Sequence, residues 1–318
     1  MPASGAEPPR RTPDRRRDER CGGPAGFKWR VISAAGNHGL AVAAGATGDA
    51  RPVEILFRRR TGRPLPGDRV RLDADGAVEA IAPRANVFGR GGRRGRFRPI
   101  AANLDTLLIV IAAEPAPSVD LLHRYISAAR ILAIAPLVVV HKFDLQVPDA
   151  PPFSDLDELD VEVLRTRCEP DVDLDGLPDR LGRGTHLLAG QSGVGKSSLA
   201  NALLPDLALQ TERLSRATGK GRHTTTGARL FRLPAGGWLV DTPGVWEYGL
   251  WCMGRETLAR GFPEFASRLP CRFRDCSHRE EPGCRVREAA GQGLIPASRY
   301  RAWLSQLREQ QRLADGFE

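Results

Sequence analysis

The sequence lacks the features of a membrane or secreted protein. No apolar run reaches the roughly eighteen residues that a membrane span needs. The N-terminal stretch carries arginine, proline and acidic residues but no apolar core of a secretory signal, so the cytoplasm is the expected compartment and no membrane contact is expected. The 6 cysteines among 318 residues do not suggest a disulfide scaffold.

Lysine is also scarce. The chain has 47 basic residues, but only four are lysines: Lys28, Lys142, Lys196 and Lys220. The others are arginines, and a net charge of +9 with a pI near 9.8 indicates a polyanionic partner. Hydrophobic residues make up 41% of the chain, which is enough for real cores. The length leaves room for about two or three domains.

Lys196 lies in a complete phosphate-loop motif, because residues 190–197 read GQSGVGKS and match G-x-x-x-x-G-K-[ST]. The apolar run 185–189 predicts a buried strand before the loop, and residues 197–204 predict a helix after it. Lys196 would reach the β- and γ-phosphates, and Ser197 would bind Mg²⁺. The residues of this segment predicted to contact the bound nucleotide are Gly190, Gln191, Ser192, Gly193, Val194, Gly195, Lys196, Ser197 and Ser198.

A second motif indicates guanine as the base. Residues 137–140 form a β-branched run typical of a buried strand, and His141, Lys142, Phe143 and Asp144 follow it as a base-reading motif. The Asp144 carboxylate can accept two hydrogen bonds from the guanine edge, each contributing about 1.5–3 kcal/mol. Adenine offers no such donor pair, so Asp144 would favour GTP over ATP. Lys142 would lie along the base and brace the phosphate loop.

The motif DTPG, residues 241–244, completes the predicted nucleotide site. It follows the apolar run 237–240, which predicts a buried strand leading into Asp241. A carboxylate at a strand end can hold Mg²⁺ through a water molecule, since Mg²⁺ keeps several of its waters in such sites. The Gly244 N–H can meet the γ-phosphate. Asp241 and Gly244 are therefore predicted to take part in binding GTP.

The segment GRHTTT, residues 221–226, is predicted to complete the Mg²⁺ shell when GTP is bound. Loss of the γ-phosphate releases such segments, which is how GTP-binding domains switch. Thr224, Thr225 and Thr226 compete for the metal position, and we assign it to Thr225. An ordinary polar loop is the alternative interpretation of this threonine run.

The order of these motifs is reversed relative to an ordinary GTP-binding domain, in which the base-reading motif comes last. Here residues 141–144 precede residues 190–197, which predicts a circularly permuted α/β P-loop domain. With PGDRV at 66–70, AANLD at 101–105, the GRHTTT and DTPGV motifs and a C-terminal Cys/His cluster, the chain resembles a family of circularly permuted GTPases. This family is called ribosome small subunit-dependent GTPase A (RsgA, also YjeQ).

The resemblance covers nearly the whole chain from about Phe27. It implies a protein that binds GTP and GDP, contacts the small ribosomal subunit and its rRNA, and hydrolyses GTP faster on that subunit. The implied role is late maturation of the subunit, with hydrolysis triggering release, and we expect a monomer. The chain departs from the family at His141, where an asparagine is usual, and at residues 164–168, which lack the second guanine motif.

Catalysis is predicted to depend on a partner. Many GTPases place a glutamine just after the DTPG-like turn to orient the attacking water, but Val245 occupies that position and cannot polarise water. Slow turnover by the isolated protein is therefore expected. His223 is the nearest candidate to position the water, and the resemblance favours the same residue. The alternative is that His223 is a mobile switch residue without a catalytic part.

Residues 27–83 predict a small β-barrel, because five short strand-like runs are separated by turn signals such as Pro66–Gly67 and Asp75–Gly76. Periodicity alone leaves an OB-fold and an SH3-like barrel open, and the resemblance favours the OB-fold. Residues 84–99 combine six arginines with Phe88 and Phe97. They predict an RNA contact or a flexible interdomain linker, and the two interpretations are compatible.

The C-terminal region contains Cys271, Cys276, His278 and Cys284, with the spacing C-x4-C-x-H-x5-C. Four such ligands suit one structural Zn²⁺, and the resemblance implies the same four residues; free cysteines in a helical domain are the alternative. A final helix is predicted over 296–313. Its apolar stripe is interpreted as core rather than as a partner groove, and its members are Tyr300, Trp303, Leu304 and Leu307.

The predicted organisation has four parts. They are a basic tail (1–26), an OB-fold RNA-binding domain with an Arg/Gly-rich linker (27–98), the permuted GTPase (99–250) and a zinc-binding helical domain (251–318). Two other functions stay open: a GTPase that acts on another RNA, and an RNA-binding protein that senses GTP with little turnover. Because permutation places the DTPG segment close to the zinc domain, we also expect nucleotide state to move that domain.

Overall fold

The computed structural model describes residues 26–46, 50–145, 147–206, 227–242 and 248–316. All five strand-like runs of the N-terminal region form strands. They are β1 (Trp29–Ala35), β2 (His38–Ala43), β3 (Val53–Leu56), β4 (Arg69–Leu72) and β5 (Val78–Ile81). A short 3-10 helix, Arg59–Thr61, lies between β3 and β4.

These strands form the predicted OB-fold barrel. Strand β1 pairs with both β2 and β4, β2 pairs with β3, and β4 pairs with β5. A parallel bridge between Leu56 and Ala77 brings the ends of β3 and β5 together, so the open order β3-β2-β1-β4-β5 is nearly closed. Each strand contributes one fully buried residue to a separate small core, namely Val31, Ala41, Ile55, Val70 and Val78.

The arginine-rich segment forms a β-hairpin, which the sequence interpretation as a linker did not anticipate. Strands β6 (Val87–Gly91) and β7 (Phe97–Ala102) pair antiparallel, and a 3-10 turn, Arg93–Gly95, joins them. We call residues 87–102 the arginine hairpin. The predicted boundary between residues 98 and 99 falls inside β7.

The central domain is built on a mostly parallel sheet. Its strands are β8 (Thr106–Ile111), β9 (Ala135–His141), β10 (Glu162–Thr166), β11 (Thr185–Gly190), β12 (Arg229–Arg232) and β13 (Trp238–Asp241). The spatial order is β10-β9-β8-β11-β13-β12, with only β12 antiparallel to its neighbour. Every residue of β8 is buried, as expected for a strand covered on both faces.

Among the described residues, three helices and a 3-10 helix accompany this sheet. They are α1 (Val119–Ile131), α2 (Leu177–Arg180), α3 (Lys196–Leu203) and the 3-10 helix Phe153–Glu158. The barrel is attached to the same sheet, because β1 pairs with β12 at Ser33 and Arg229. Arg30 strengthens this attachment by donating a 2.7 Å hydrogen bond to the Thr185 hydroxyl.

The C-terminal region is helical, with α4 (Arg255–Ala259), a 3-10 helix (Pro263–Arg268), α5 (Arg285–Gly291) and α6 (Ala297–Ala314). Trp303 and Leu307 of α6 are buried and belong to the main core, so the interpretation of the apolar stripe as core is confirmed. Within the described parts of the chain, no helix is long and apolar enough to cross a membrane.

Helix α6 packs against α1 through a buried charged network. The Arg299 guanidinium, only 1% exposed, donates hydrogen bonds to Glu264, to the Gly261 carbonyl and to the Ser127 hydroxyl. Its charged group also lies 3.9 Å from the centre of the Phe262 ring. A buried guanidinium is tolerated only with such partners, so this network fixes the C-terminal region on the central domain.

His123 lies in the same interface and neither of its ring nitrogens has a hydrogen-bond partner among the described residues. Its side chain is 0% exposed. Burial, with a further contribution from Arg299, lowers the pKa of His123 to about 3. The ring is therefore neutral in the folded protein at neutral pH, whereas the unfolded chain titrates near pH 6.5.

Acid is expected to destabilise the protein through His123. The neutral His123 ring contributes its full stabilisation above about pH 6.5. This contribution is lost as the pH falls toward 3, because the histidine of the unfolded chain takes up a proton at a higher pH than the buried histidine does. Between pH 8 and pH 5 this loss amounts to about 2 kcal/mol.

Urea unfolding should therefore show a smaller acid-induced loss of stability for His123→Leu than for the wild type. His38→Leu, at an exposed histidine, should behave like the wild type. Equal pH dependence in all three proteins would show that His123 is not the titrating group.

Candidate nucleotide site and metal centre

The phosphate loop, residues 190–197, joins the buried strand β11 to helix α3, as predicted. Gly190 and Gly195 have φ values of +142° and +95°, which side chains rarely adopt. A Cβ at Gly190 would also collide with the Val110 carbonyl of the neighbouring strand. Glycine at these positions therefore allows the chain to turn from strand to helix, with Ser192 and Gly193 of the loop exposed where a phosphate can bind.

Lys196 and Ser197 occupy the first turn of α3. The ammonium group of Lys196 donates to the carbonyl oxygens of Gly190 and Gln191, at 2.9 and 2.5 Å. Partial burial lowers the pKa of Lys196 from its ordinary value. Ser197 is exposed at the helix start, where a hydroxyl can reach a metal ion held by bound phosphates.

The base-reading motif lies against the phosphate loop. The Lys142 ammonium group donates to the Gly193 carbonyl at 3.1 Å and to the Glu114 carbonyl at 3.2 Å. Asp144 is exposed two residues further on. Strands β9 and β11 are separated only by β8, so the parallel sheet brings Lys142 and Gly193, which are 51 residues apart, to the same edge.

Sequence reasoning left residues 164–168 without a role, but the structure brings Thr166 to this site. Thr166 is fully buried at the end of β10 and lies opposite His141 in the parallel register. Its hydroxyl is 2.9 Å from His141 Nδ1, and its carbonyl accepts from the Phe143 N–H at 3.4 Å. Arg167 lies 5.0 Å from the centre of the Phe143 ring. The sequence alone does not show that Thr166 lies beside His141, because the two become neighbours only through the pairing of β9 with β10.

Asp241 ends β13, the strand beside β11, so it approaches the phosphate loop from the other side. Its side chain keeps solvent contact, yet surrounding protein atoms desolvate the carboxylate and raise its pKa, while Arg229 opposes this shift. His223, Thr225 and Gly244 lie outside the described residues.

The phosphate loop is also linked to α1. The Gln191 side-chain oxygen accepts a 3.1 Å hydrogen bond from the Ser118 N–H, and the Ser118 hydroxyl caps α1 by accepting from the Leu121 N–H. A serine cap satisfies one of the unpaired N–H groups at a helix start. The glutamine of the phosphate loop therefore contacts the helix on which the C-terminal region packs.

The C-terminal cluster forms one compact group of potential ligands, as the sequence predicted. The ligand atoms of Cys271, Cys276, His278 and Cys284 all lie within 4.8 Å of one another. His278 Nδ1 is 3.6 Å from the sulfur atoms of both Cys271 and Cys284. Tetrahedral zinc with Zn–S of about 2.3 Å and Zn–N of about 2.05 Å would separate these atoms by about 3.6 Å. The donor set and its spacing therefore fit a tetrahedral metal ion.

Hydrogen bonds to the backbone hold the metal loop, residues 271–284, on helix α6. Trp303 Nε1 donates to the Ser277 carbonyl at 3.1 Å, and the Tyr300 hydroxyl donates to the His278 carbonyl at 2.7 Å. The Glu281 carboxylate accepts from backbone N–H groups within the loop. Desolvation raises the pKa of Glu281, but hydrogen bonds, chiefly from Ser277, outweigh it and lower the pKa to about 2. These supporting contacts were not predicted.

The permuted motif order, the parallel sheet and the phosphate loop define a circularly permuted P-loop GTPase that carries an OB-fold barrel and a Cys₃His cluster able to hold a metal ion. The chain belongs to the RsgA GTPase family, whose profile matches residues 81–251. The resemblance drawn from the motifs is therefore confirmed.

Individual relatives agree with this assignment. The small ribosomal subunit biogenesis GTPase RsgA of Chromohalobacter salexigens is 45% identical over 240 residues, covering 73% of this chain and 70% of the relative. The protein of the same name from Haemophilus influenzae is 40% identical over 233 residues, with coverages of 71% and 67%.

Two solved structures share the architecture. The crystal structure of YjeQ from Thermotoga maritima has a TM-score of 0.70 and 26% identity, and the match covers 89% of this chain and 98% of the other. YloQ, described as a circularly permuted GTPase, has a TM-score of 0.67 and 25% identity, with coverages of 89% and 94%. The likeness therefore extends beyond the GTPase domain.

Proposed function

We propose that this protein is a GTPase that binds the small ribosomal subunit late in its maturation and leaves it after hydrolysing GTP. The observation that carries the proposal is the contact between two distant motifs, Lys142 with the phosphate-loop carbonyl of Gly193, within a chain of the RsgA GTPase family. The relatives named as small ribosomal subunit biogenesis GTPases support the choice of partner.

In this proposal the residues of the sequence motifs divide the work of binding and hydrolysing GTP. Asp144 reads guanine, and the phosphate loop holds the phosphates with Lys196 at the β- and γ-positions. Ser197 and Thr225 bind Mg²⁺, and Asp241 supports it through water. Further contacts come from Gly244 and Phe143, and His223 positions the attacking water.

The metal centre is proposed to hold one Zn²⁺, with Mg²⁺ arriving with GTP. Three thiolates and one imidazole favour zinc, because soft sulfur ligands suit it better than Mg²⁺ or Ca²⁺. The four-part division of the chain, a monomeric state and a cytoplasmic location belong to the same proposal. The location follows from the proposed partner, the small ribosomal subunit.

The arginine hairpin is the proposed RNA contact. Its exposed side chains include Arg93, Arg94, Arg96 and Arg98. Arginine pairs well with phosphate groups and stacks on unpaired bases. The hairpin presents these groups on a two-stranded scaffold, so they can meet a folded RNA surface together.

The hairpin is anchored to residues 248–252, which closely follow DTPG. The Tyr248 hydroxyl donates to the Gly89 carbonyl at 2.7 Å, and the Phe97 and Trp251 rings meet edge to face at 4.8 Å. Backbone hydrogen bonds join Gly91 to Gly249 and Cys252 to Gly95. These contacts support coupling between RNA held by the hairpin and the nucleotide site.

A GTPase assay with and without purified small ribosomal subunits tests the proposed function. We expect slow turnover alone and marked stimulation by the small subunit. An absence of stimulation, with GTP still bound, would favour the second candidate, a GTP-sensing RNA-binding protein, which Val245 in place of a glutamine supports. Stimulation by large subunits or another RNA instead would redirect the assignment.

Replacing Arg93, Arg94 and Arg96 with alanine should weaken binding to the small subunit. Losing three phosphate contacts should reduce the slope of log affinity against log salt concentration by about 2–3. Subunit binding measured between low and moderate salt checks this. A triple alanine variant of Arg301, Arg308 and Arg312, exposed on α6, removes the same charge elsewhere. Equal losses in the two variants would mean that net charge, and not the hairpin, governs binding.

A further inference from the structure

The imidazole of His141 is enclosed at the junction of three elements of the nucleotide site. It ends β9, is only 2% exposed, and its Nδ1 atom lies 2.9 Å from the hydroxyl of Thr166 on β10. Thr166 itself is fully buried. The two side chains therefore form a pair that water does not reach, and each supplies a hydrogen-bonding group to the other.

The opposite edge of the ring faces the phosphate loop. A Cβ atom added to Gly195 would lie 2.7 Å from His141 Nε2 and closer still to Cδ2. Gly195 is the N-cap of α3 and directly precedes Lys196. The imidazole thus fills the space in which any other residue at position 195 would place its side chain.

The ring is poorly placed to read a base. Burial and the neighbouring Lys142 lower the pKa of His141, so the imidazole is neutral at neutral pH. One nitrogen is engaged with Thr166, and the other edge lies against Gly195. Asp144, in contrast, is exposed at the end of the same motif and free to meet a nucleotide.

We propose that His141 is a positioning residue that braces the phosphate loop against Thr166 and does not contact guanine. The inference rests on the proposed function, because it concerns the same GTP site. His141 sets the distance between β9, β10 and the start of α3, and Lys142 adds a second link to Gly193. Loss of the brace loosens the loop, so the affinity for the phosphate groups falls whichever purine is attached.

The test compares GTP with ITP, which lacks only the 2-amino group of guanine. We expect His141→Ala to weaken binding of both nucleotides by about 10- to 100-fold, since it leaves the buried Thr166 hydroxyl unpaired. The ratio of the two affinities should stay at its wild-type value. Asp144→Ala should instead bring the two affinities together. His38→Ala, at an exposed histidine, should bind both like the wild type.

Thr166→Val keeps the shape of the side chain and removes only the hydroxyl, so it tests the brace even if His141→Ala folds poorly. We expect the same loss of affinity for GTP and ITP. The double variant His141→Ala/Thr166→Val should lose no more affinity than the more affected single variant. A collapsed GTP-to-ITP ratio in His141→Ala, unchanged affinity in either variant, or additive losses would overturn the inference. A wild-type protein that fails to bind GTP would instead refute the proposed function.

Discussion

Lys196→Ala should lower GTP affinity and unstimulated turnover by about 100- to 10,000-fold, the largest effect expected of any single change at the nucleotide site. The estimate follows from two charge-assisted hydrogen bonds to the β- and γ-phosphates, each contributing about 1.5–3 kcal/mol. In the structure the ammonium group already lies over the phosphate loop, within hydrogen-bond distance of the Gly190 and Gln191 carbonyls. Fluorescent GTP titration and a phosphate-release assay measure the two quantities.

Lys28→Ala is the matched control, because it removes the same side chain from an exposed position in the barrel. It should bind and hydrolyse GTP like the wild type in the absence of subunits. Lys196 is only partly buried, so its replacement should leave thermal unfolding nearly unchanged. If a folded Lys196→Ala protein hydrolysed GTP at the wild-type rate, the assignment of the phosphate loop as the GTP site would be wrong.

Cys284→Ser should abolish stoichiometric zinc binding and unfold much of the C-terminal region. Structural zinc contributes about 10–16 kcal/mol in isolated finger peptides, which is as large as the whole stability of many domains. Cys284 is fully buried, lies 3.6 Å from His278, and its sulfur also accepts from the Arg287 N–H at the start of α5. Metal analysis should fall from about one zinc ion per chain to near zero.

Loss of the metal should be visible beyond the metal loop, because Tyr300 and Trp303 tie that loop to α6. We therefore expect a lower unfolding temperature and weaker stimulation by small subunits. Cys252→Ser, at an exposed cysteine, is the control and should retain zinc and stability. A folded wild-type preparation free of zinc, or a Cys284→Ser protein that keeps it, would remove the zinc assignment.

Motif order predicts that the nucleotide state moves the zinc domain, and the structure shows which contacts could transmit such a movement. Short separation along the chain suggested that the DTPG segment would move the zinc domain. The structure shows that both regions contact the segment that follows DTPG. The Tyr248 hydroxyl donates to the hairpin carbonyl of Gly89, and the Gln310 side chain of α6 donates to the Trp251 carbonyl and accepts from the Met253 N–H. The hairpin is therefore a second region, beside the C-terminal helices, that contacts this segment.

The sequence by itself determined those features of the protein that lie within contiguous motifs. The phosphate loop needs glycines and a lysine at set positions, so its strand, turn and helix could be located within a residue or two. Five barrel strands and the compact cluster of three cysteines and one histidine were also predictable, because turn signals and ligand spacing are local. These features depend on short stretches of backbone whose conformation neighbouring residues largely fix.

Contacts between distant segments were decided only by the tertiary structure. His141 pairs with Thr166 because β9 and β10 align in one parallel register, and the same ring meets Gly195 because β8 spaces β9 from β11. The sequence of the arginine hairpin also fits a flexible linker, since nothing in that sequence specifies docking on Tyr248. Register and packing depend on the whole sheet and its surrounding helices, and no local pattern of residues encodes them.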